Sequence, residues 1–167
     1  VILGVPRVFE KVRNSAAAKA ADSAIKTLLF EQSEKVAIEY SKALDKPEGP
    51  DRLLKAKHKL FDKLVYSTIR QGVGGNVRYC ITGGSAMGHD LLHWFRGIGV
   101  PVFEGYGLTE GTCVSSCNPP LGERRIGSIG LRLPLQAMKA VVLDESGAYV
   151  RDCAVDEVGT LVISGPN

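Results

Sequence analysis

Apolar positions follow three successive regimes along this chain. From Pro6 to Leu44 they are spread among alanine, lysine and glutamate with no internal glycine or proline. That composition favours helix, and Pro6 suits a first helical position. One helix of this length would be unusual, so a break is expected near Ala21 to Ser23. Lys46 to Pro50 (KPEGP) then interrupts the pattern. From Asp51 to Gln71, residues Leu53, Leu54, Leu60, Phe61, Leu64, Val65 and Ile69 share one face at helical spacing. Asp51 is placed to cap this helix, and Gly72 to end it in the left-handed conformation. Lys55, Lys59 and Lys63 lie opposite the apolar face. The helix reads as packed on its own core with solvated lysines, the commoner arrangement, or as a basic amphipathic helix touching a membrane surface.

The second regime alternates strand and helix. Val77 to Thr82 (VRYCIT) is short and β-prone, and Gly83 and Gly84 follow it. A helix is expected from Gly88 to Arg96, stopping at Gly97, and the next strand from Val100 to Phe103. Strand, helix, strand at this spacing predicts a parallel βαβ unit. Beyond Gly122 come short strands and turns: IGSIG, then Ala137 to Leu143, a DESG turn, and Gly159 to Ile163. These predict an antiparallel barrel or small sheet. The chain therefore reads as α/β: mainly helical over 1–76, α/β over 77–121 and β-rich over 122–167.

Composition narrows the class. The 167 residues are 44% hydrophobic and 23% charged, as in a soluble globular domain. A net charge of +3, with no dense basic stripe interleaved with aromatics, argues against nucleic acid. No apolar run approaches a membrane span, and no signal peptide opens the chain. Cys80, Cys113, Cys117 and Cys153 lack the spacing of a disulfide framework and read as reduced thiols of a cytoplasmic protein. The opening VILGVP and the closing LVISGPN both look like strands, which suggests a piece cut from a longer chain.

Three stretches could carry chemistry. His89-Asp90-Leu91-Leu92-His93 spaces two histidines as H-E-x-x-H zinc sites do. The helical wheel opposes this, because Arg96 shares the face of His89 and His93, and no third ligand stands out. A solvated helix face is the plainer reading. Gly83-Gly84-Ser85-Ala86-Met87 resembles a turn presenting a nucleophilic serine, but Met87 replaces the final glycine and no histidine follows His93. The same glycines, at the carboxyl end of a parallel strand, could let the backbone approach a flat ligand such as adenine, or form a tight turn.

The third stretch is FEGYGLTEGT, which begins at Phe103. It should lie beside the double glycine on the same sheet edge. Tyr106 offers a flat face to a base, while Gly105 and Gly107 let the backbone bend close. Thr109 offers a hydroxyl to a phosphate oxygen. Glu110 beside a phosphate calls for a cation between them, and Mg²⁺ is the usual one. The alternative is a capping threonine and a first-turn glutamate at a helix start.

Together these stretches resemble the adenylate-forming superfamily of acyl-CoA synthetases, luciferases and peptide-synthetase adenylation domains. GYGLTE at 105–110 is the most specific match, and Thr82-Gly83-Gly84-Ser85 is similar to the glycine motif on the family's adenine side. VPRVFEKV at 5–12, with the long helical stretch behind it, resembles the long-chain fatty acid branch. RIGSIGLRLP at 125–134 and EVGTLVISGP at 157–166 are similar to later family segments, although Thr160 stands where glutamate is frequent. The resemblance implies that Gly83, Gly84, Ser85 and Tyr106 meet the adenosine, Thr109 the α-phosphate and Glu110 the magnesium.

It further implies the central part of an AMP-binding domain and a parent enzyme that joins fatty acids to coenzyme A through an acyl-adenylate, using ATP and Mg²⁺. The lysine-bearing phosphate loop, the ribose-binding aspartate and the mobile carboxy-terminal domain are expected outside these residues, so the 167 alone are expected to be inactive. Two other readings stay open: a carboxylate-activating enzyme that loads a carrier protein, and a non-catalytic nucleotide-binding or interaction module.

Overall fold

The computed structural model describes residues 1–111 and 113–166. Strand β1 (Ile2–Gly4) leads into helices α1 (Pro6–Ala20), α2 (Ala24–Ala43) and α3 (Arg52–Phe61). A π-helical segment (Asp62–Tyr66) joins α3 to α4 (Ser67–Gly72). Then come β2 (Cys80–Thr82), α5 (His89–Gly97), β3 (Val102–Tyr106), a 3₁₀ turn (Thr109–Gly111), β4 (Ser116–Cys117) and β5 (Leu131–Arg132). The chain closes with β6 (Ala137–Leu143), β7 (Tyr149–Asp152) and β8 (Thr160–Ser164).

Five strands form one mixed sheet in the order β1-β2-β3-β4-β5. The first three are parallel, and β4 and β5 continue it antiparallel. A second antiparallel sheet has the order β7-β6-β8. The protein is thus α/β, with a βαβ unit of β2, α5 and β3 at its centre.

Local chemistry explains the helix boundaries. The break between α1 and α2 falls at Ala21–Ser23, where Ser23 is extended at φ −153°. Thr27 Oγ1 lies 3.1 Å from the Ser23 carbonyl and 3.2 Å from that of Ala20, so one hydroxyl spans the corner. Asp51 caps α3 by accepting from Leu54 N–H at 2.6 Å. Gly72 is the last helical residue, and the left-handed positions are instead Gly74 (φ 110°) and Gly75 (φ 71°).

The single apolar face expected over Asp51 to Gln71 does not hold. The π-helical segment inserts an extra residue per turn and rotates the helix surface. Tyr66 becomes fully buried, while Leu53, Leu60 and Leu64 are 64%, 56% and 52% exposed. No residue of α3 itself is buried.

The rotation brings polar groups to the end of α5. His58 Nε2–H donates to the Gly97 carbonyl at 2.6 Å. Arg70 donates to the Ile98 carbonyl at 2.8 Å and pairs with Asp62 at 2.6 Å. These groups satisfy carbonyls that a helix terminus leaves without partners.

Helix α5 is the hub of the core. Leu92, Trp94 and Phe95 are each at most 1% exposed, and each contributes about 2 kcal/mol through apolar burial. Phe95 meets Phe9 edge-on at 5.5 Å, and Trp94 meets Phe30 at 6.5 Å. At Gly97 a built Cβ would lie 2.1 Å from the Ala37 carbonyl, so α2 and α5 touch backbone to backbone.

Strand boundaries differ from those expected. Only Cys80–Thr82 of the VRYCIT run is paired. Strand β3 starts later than Val100 and continues through Gly105 and Tyr106, because these two residues find partners in Cys117 and Ser116. IGSIG is a turn with left-handed Gly127 and Gly130, leading into β5. In the DESG turn, Asp144 Oδ1 accepts from Ser146 N–H and Ala148 N–H, both at 2.9 Å.

Candidate functional site

The parallel register aligns Thr82 with Glu104, so the residues after β2 and the end of β3 emerge side by side. A Cβ built on Gly83 would lie 3.3 Å from the Gly105 carbonyl oxygen. The two glycine-bearing motifs, far apart in the chain, are thus in backbone contact. Gly84 adopts the left-handed conformation at φ 85°, and Gly84 and Ser85 are exposed. No histidine hydrogen-bonds Ser85 among the described residues, so the nucleophile reading of this turn has no base.

Gly105 and Tyr106 lie within β3, and both are half-buried. Gly107 follows, and packing by itself demands glycine there. A Cβ at that position would lie 1.5 Å from the Cys113 carbonyl oxygen, because the loop folds back on itself. Ser115 N–H closes it by donating to the Tyr106 carbonyl at 2.8 Å. This fold-back presents the 3₁₀ turn with Thr109 and Glu110, both exposed.

Tyr106, Leu108, Glu110 and Gly111 form one wall of a cleft of about 330 Å³. Gln136 and residues of β8 form the other wall. Gln136 is only 4% exposed, and its side-chain N–H donates to the Val114 carbonyl at 3.3 Å. Its Oε1 has no partner among the described residues. Nothing in the sequence marked this residue, since a single glutamine after a proline-containing turn has no distinctive spacing.

A second residue missed in the sequence is Glu104. Its carboxylate accepts from Gly127 N–H at 3.1 Å and from Met87 N–H at 3.4 Å. Arg124 lies nearby, stacked over Phe103 at 4.6 Å from the ring centroid. Burial, and after it Arg96, pull the pKa of this guanidinium down to about 10, with Asp45 and Glu104 acting the other way.

The histidine pair on α5 does not converge on a metal position. His89 packs its ring against Gly127, Asp90 pairs with Lys42 at 2.8 Å, and His93 Nδ1 sits 3.0 Å from Ser41 Oγ. Arg96 pairs with Asp45 at 2.6 Å. The face expected to be solvated is therefore docked in part on α2, where Ser41 is fully buried. Among the described residues no group of three or more His, Cys, Asp or Glu gathers to hold a metal. All four cysteines are free.

The model of the AMP-binding enzyme family matches residues 1–167. The chain belongs to this family. Among its AMP-binding relatives, a long-chain-fatty-acid–CoA ligase of Mycobacterium bovis is 38% identical over 168 residues, covering 99% of this chain and 26% of that protein. A marinolic acid–CoA ligase of a Pseudoalteromonas species is 43% identical over 90 residues, covering 53% of this chain and 14% of that one. The chain thus spans about a quarter of the length of its first curated relatives. The solved structure of ATP-bound MatB from Rhodopseudomonas palustris aligns over 62% of this chain and 21% of its own, at 28% identity and a TM-score of 0.47.

Proposed function

We propose that this chain supplies the adenosine side and one metal ligand of an ATP-dependent acid–thiol ligase for long-chain fatty acids. The observation that carries the proposal is the contact of Gly83 with the Gly105 carbonyl, which joins the double-glycine loop to the strand bearing Tyr106. The names of the relatives, fatty-acid and marinolic acid–CoA ligases, support the substrate class and coenzyme A as the acceptor.

In this reading a fatty carboxylate attacks the α-phosphorus of ATP, releasing pyrophosphate and forming the acyl-adenylate. The thiol of coenzyme A then attacks the acyl carbon and AMP leaves. Little covalent work falls to protein side chains, so positioning and charge neutralisation dominate. Gly83, Gly84 and Ser85 border the adenosine, and Tyr106 presents its ring to the base. Thr109 donates its hydroxyl to an α-phosphate oxygen.

The exposed Glu110 carboxylate and Thr109 hydroxyl are hard oxygen donors with room around them. They fit Mg²⁺, which keeps most of its waters and takes one or two carboxylates beside substrate phosphates. When bound, the ion would neutralise charge on the phosphates during displacement. Glu110 would hold it, and Thr109 would orient the phosphate beside it.

The test is thioester formation by the full-length protein with ATP, Mg²⁺ and a panel of carboxylates. Palmitate or a neighbouring chain length, with coenzyme A as acceptor, is expected to give the highest kcat/KM. Transfer to a carrier protein but not to coenzyme A would move the enzyme to a different acceptor class. Nucleotide binding with no acid-dependent turnover would make it a binding module.

A further inference from the structure

We infer that Glu104 is a positioning residue that fastens the adenosine-side loop to the strand bearing Tyr106, an inference that rests on the adenylation reading above. Residues 83 to 88 run from the end of β2 to the start of α5, and Gly84, Ser85 and Ala86 are exposed. The loop is held at two points. At one end Thr82 is paired with Glu104 in the sheet. At the other the Met87 side chain is 2% exposed in the core, and Met87 N–H points at the Glu104 carboxylate, 3.4 Å away. The same residue therefore anchors the loop through its backbone and its side chain.

The second carboxylate oxygen reaches the turn before β5, accepting from Gly127 N–H at 3.1 Å. That turn is itself seated on α5, because a Cβ at Gly127 would come within 2.5 Å of His89 Nε2. Three segments, 83–88, 102–106 and 126–130, thus meet at one carboxylate. Side chains alternate along a strand, so Glu104 and Tyr106 lie on the same face of β3. Any drift of the loop relative to Glu104 is a drift relative to the tyrosine.

The chemistry explains why a carboxylate stands here. Both oxygens face backbone N–H groups, and an ionised carboxylate offers only acceptors. Glutamine has one acceptor, and would turn an amide donor toward one of the two N–H groups. Glu104 does not need to touch the nucleotide to act. It sets the separation between two surfaces that would enclose it.

The experiment uses the full-length protein with Glu104→Ala and Glu104→Gln, and has two arms. Hydrogen–deuterium exchange without nucleotide reads the clamp without any reaction. Peptides spanning 83–88 and 126–130 are expected to exchange faster in the Ala variant, with Gln intermediate, while peptides of α2 stay unchanged. Acid-dependent ATP–pyrophosphate exchange reads its consequence. KM for ATP is expected to rise about tenfold in the Ala variant, the scale of a lost charge-assisted hydrogen bond, with KM for the fatty acid within twofold of wild type.

Unchanged deuterium exchange in both peptides of a folded Ala variant would overturn the clamp, whatever the kinetics. So would equal rises in KM for ATP and fatty acid, which mark a general loss of structure. Wild-type protein that performs no pyrophosphate exchange with any acid would overturn the adenylation reading, and the positioning role with it.

Discussion

The backbone of Gly83 lies against the carbonyl oxygen of Gly105, with 3.3 Å left between that oxygen and the place where a Cβ would stand. Two short glycine motifs thereby become one surface. Gly83→Ala requires the neighbouring backbone to yield by a few tenths of an ångström, which the ends of two strands can supply. The variant is expected to fold, losing about 1 kcal/mol or slightly more. Its KM for ATP is expected to rise several-fold, as seen in pyrophosphate exchange beside a thermal melt. An unaltered KM would mean that this contact is a packing detail.

Gly107 presents a harder case. A methyl group there would lie 1.5 Å from the Cys113 carbonyl, so the loop that presents Thr109 and Glu110 cannot close over it. Gly107→Ala is expected to abolish pyrophosphate exchange and to cost about 3 kcal/mol, at the upper end for overpacking. The lost activity should not return at high ATP, since Thr109 and Glu110 are displaced and not merely weakened. Recovery of wild-type kcat at saturating ATP would refute the fold-back as the reason for glycine.

His93 links stability to pH. Burial lowers its pKa and Lys42 and Arg96 lower it further, while Asp45 and Asp90 oppose them. The folded value therefore lies below the unfolded one, near 6.5. Over the window just below about 6.5 the unfolded chain binds more protons, so stability rises with pH there. Stability is expected to be complete above the unfolded pKa and to fall as pH drops through the folded one. Urea midpoints measured between pH 7 and pH 5 should fall less steeply for His93→Gln than for wild type, and parallel profiles would contradict this assignment.

Much of this architecture was legible in the residues. Helix-favouring composition with no internal glycine or proline marked α1 and α2, and the cap at Asp51 follows from a short acceptor side chain at a helix start. What escaped depended on partners distant in sequence. Around the π-helical segment Tyr66 donates to the Ser33 carbonyl and Arg70 to that of Ile98, and no local periodicity encodes partners so distant. Strand β3 runs on through Gly105 to Tyr106 because Cys117 and Ser116 pair with these two residues. The face of α5 that looked solvated is partly covered by Ser41 of α2 and by Asp45 in the turn after it. Glu104 was hidden for another reason: its partners are backbone N–H groups, which any residue but proline supplies.

The central claim is that the turn after β3 carries the phosphate and metal side of an adenylating site. Its most direct test is magnesium-dependent, acid-dependent ATP–pyrophosphate exchange by the full-length protein carrying Glu110→Gln. The expected result is a fall in rate of about a hundredfold or more, the scale of a lost transition-state charge contact, with a larger Mg²⁺ requirement and an unchanged melting temperature. Wild-type rates at wild-type magnesium dependence would contradict the claim and remove Glu110 from the site.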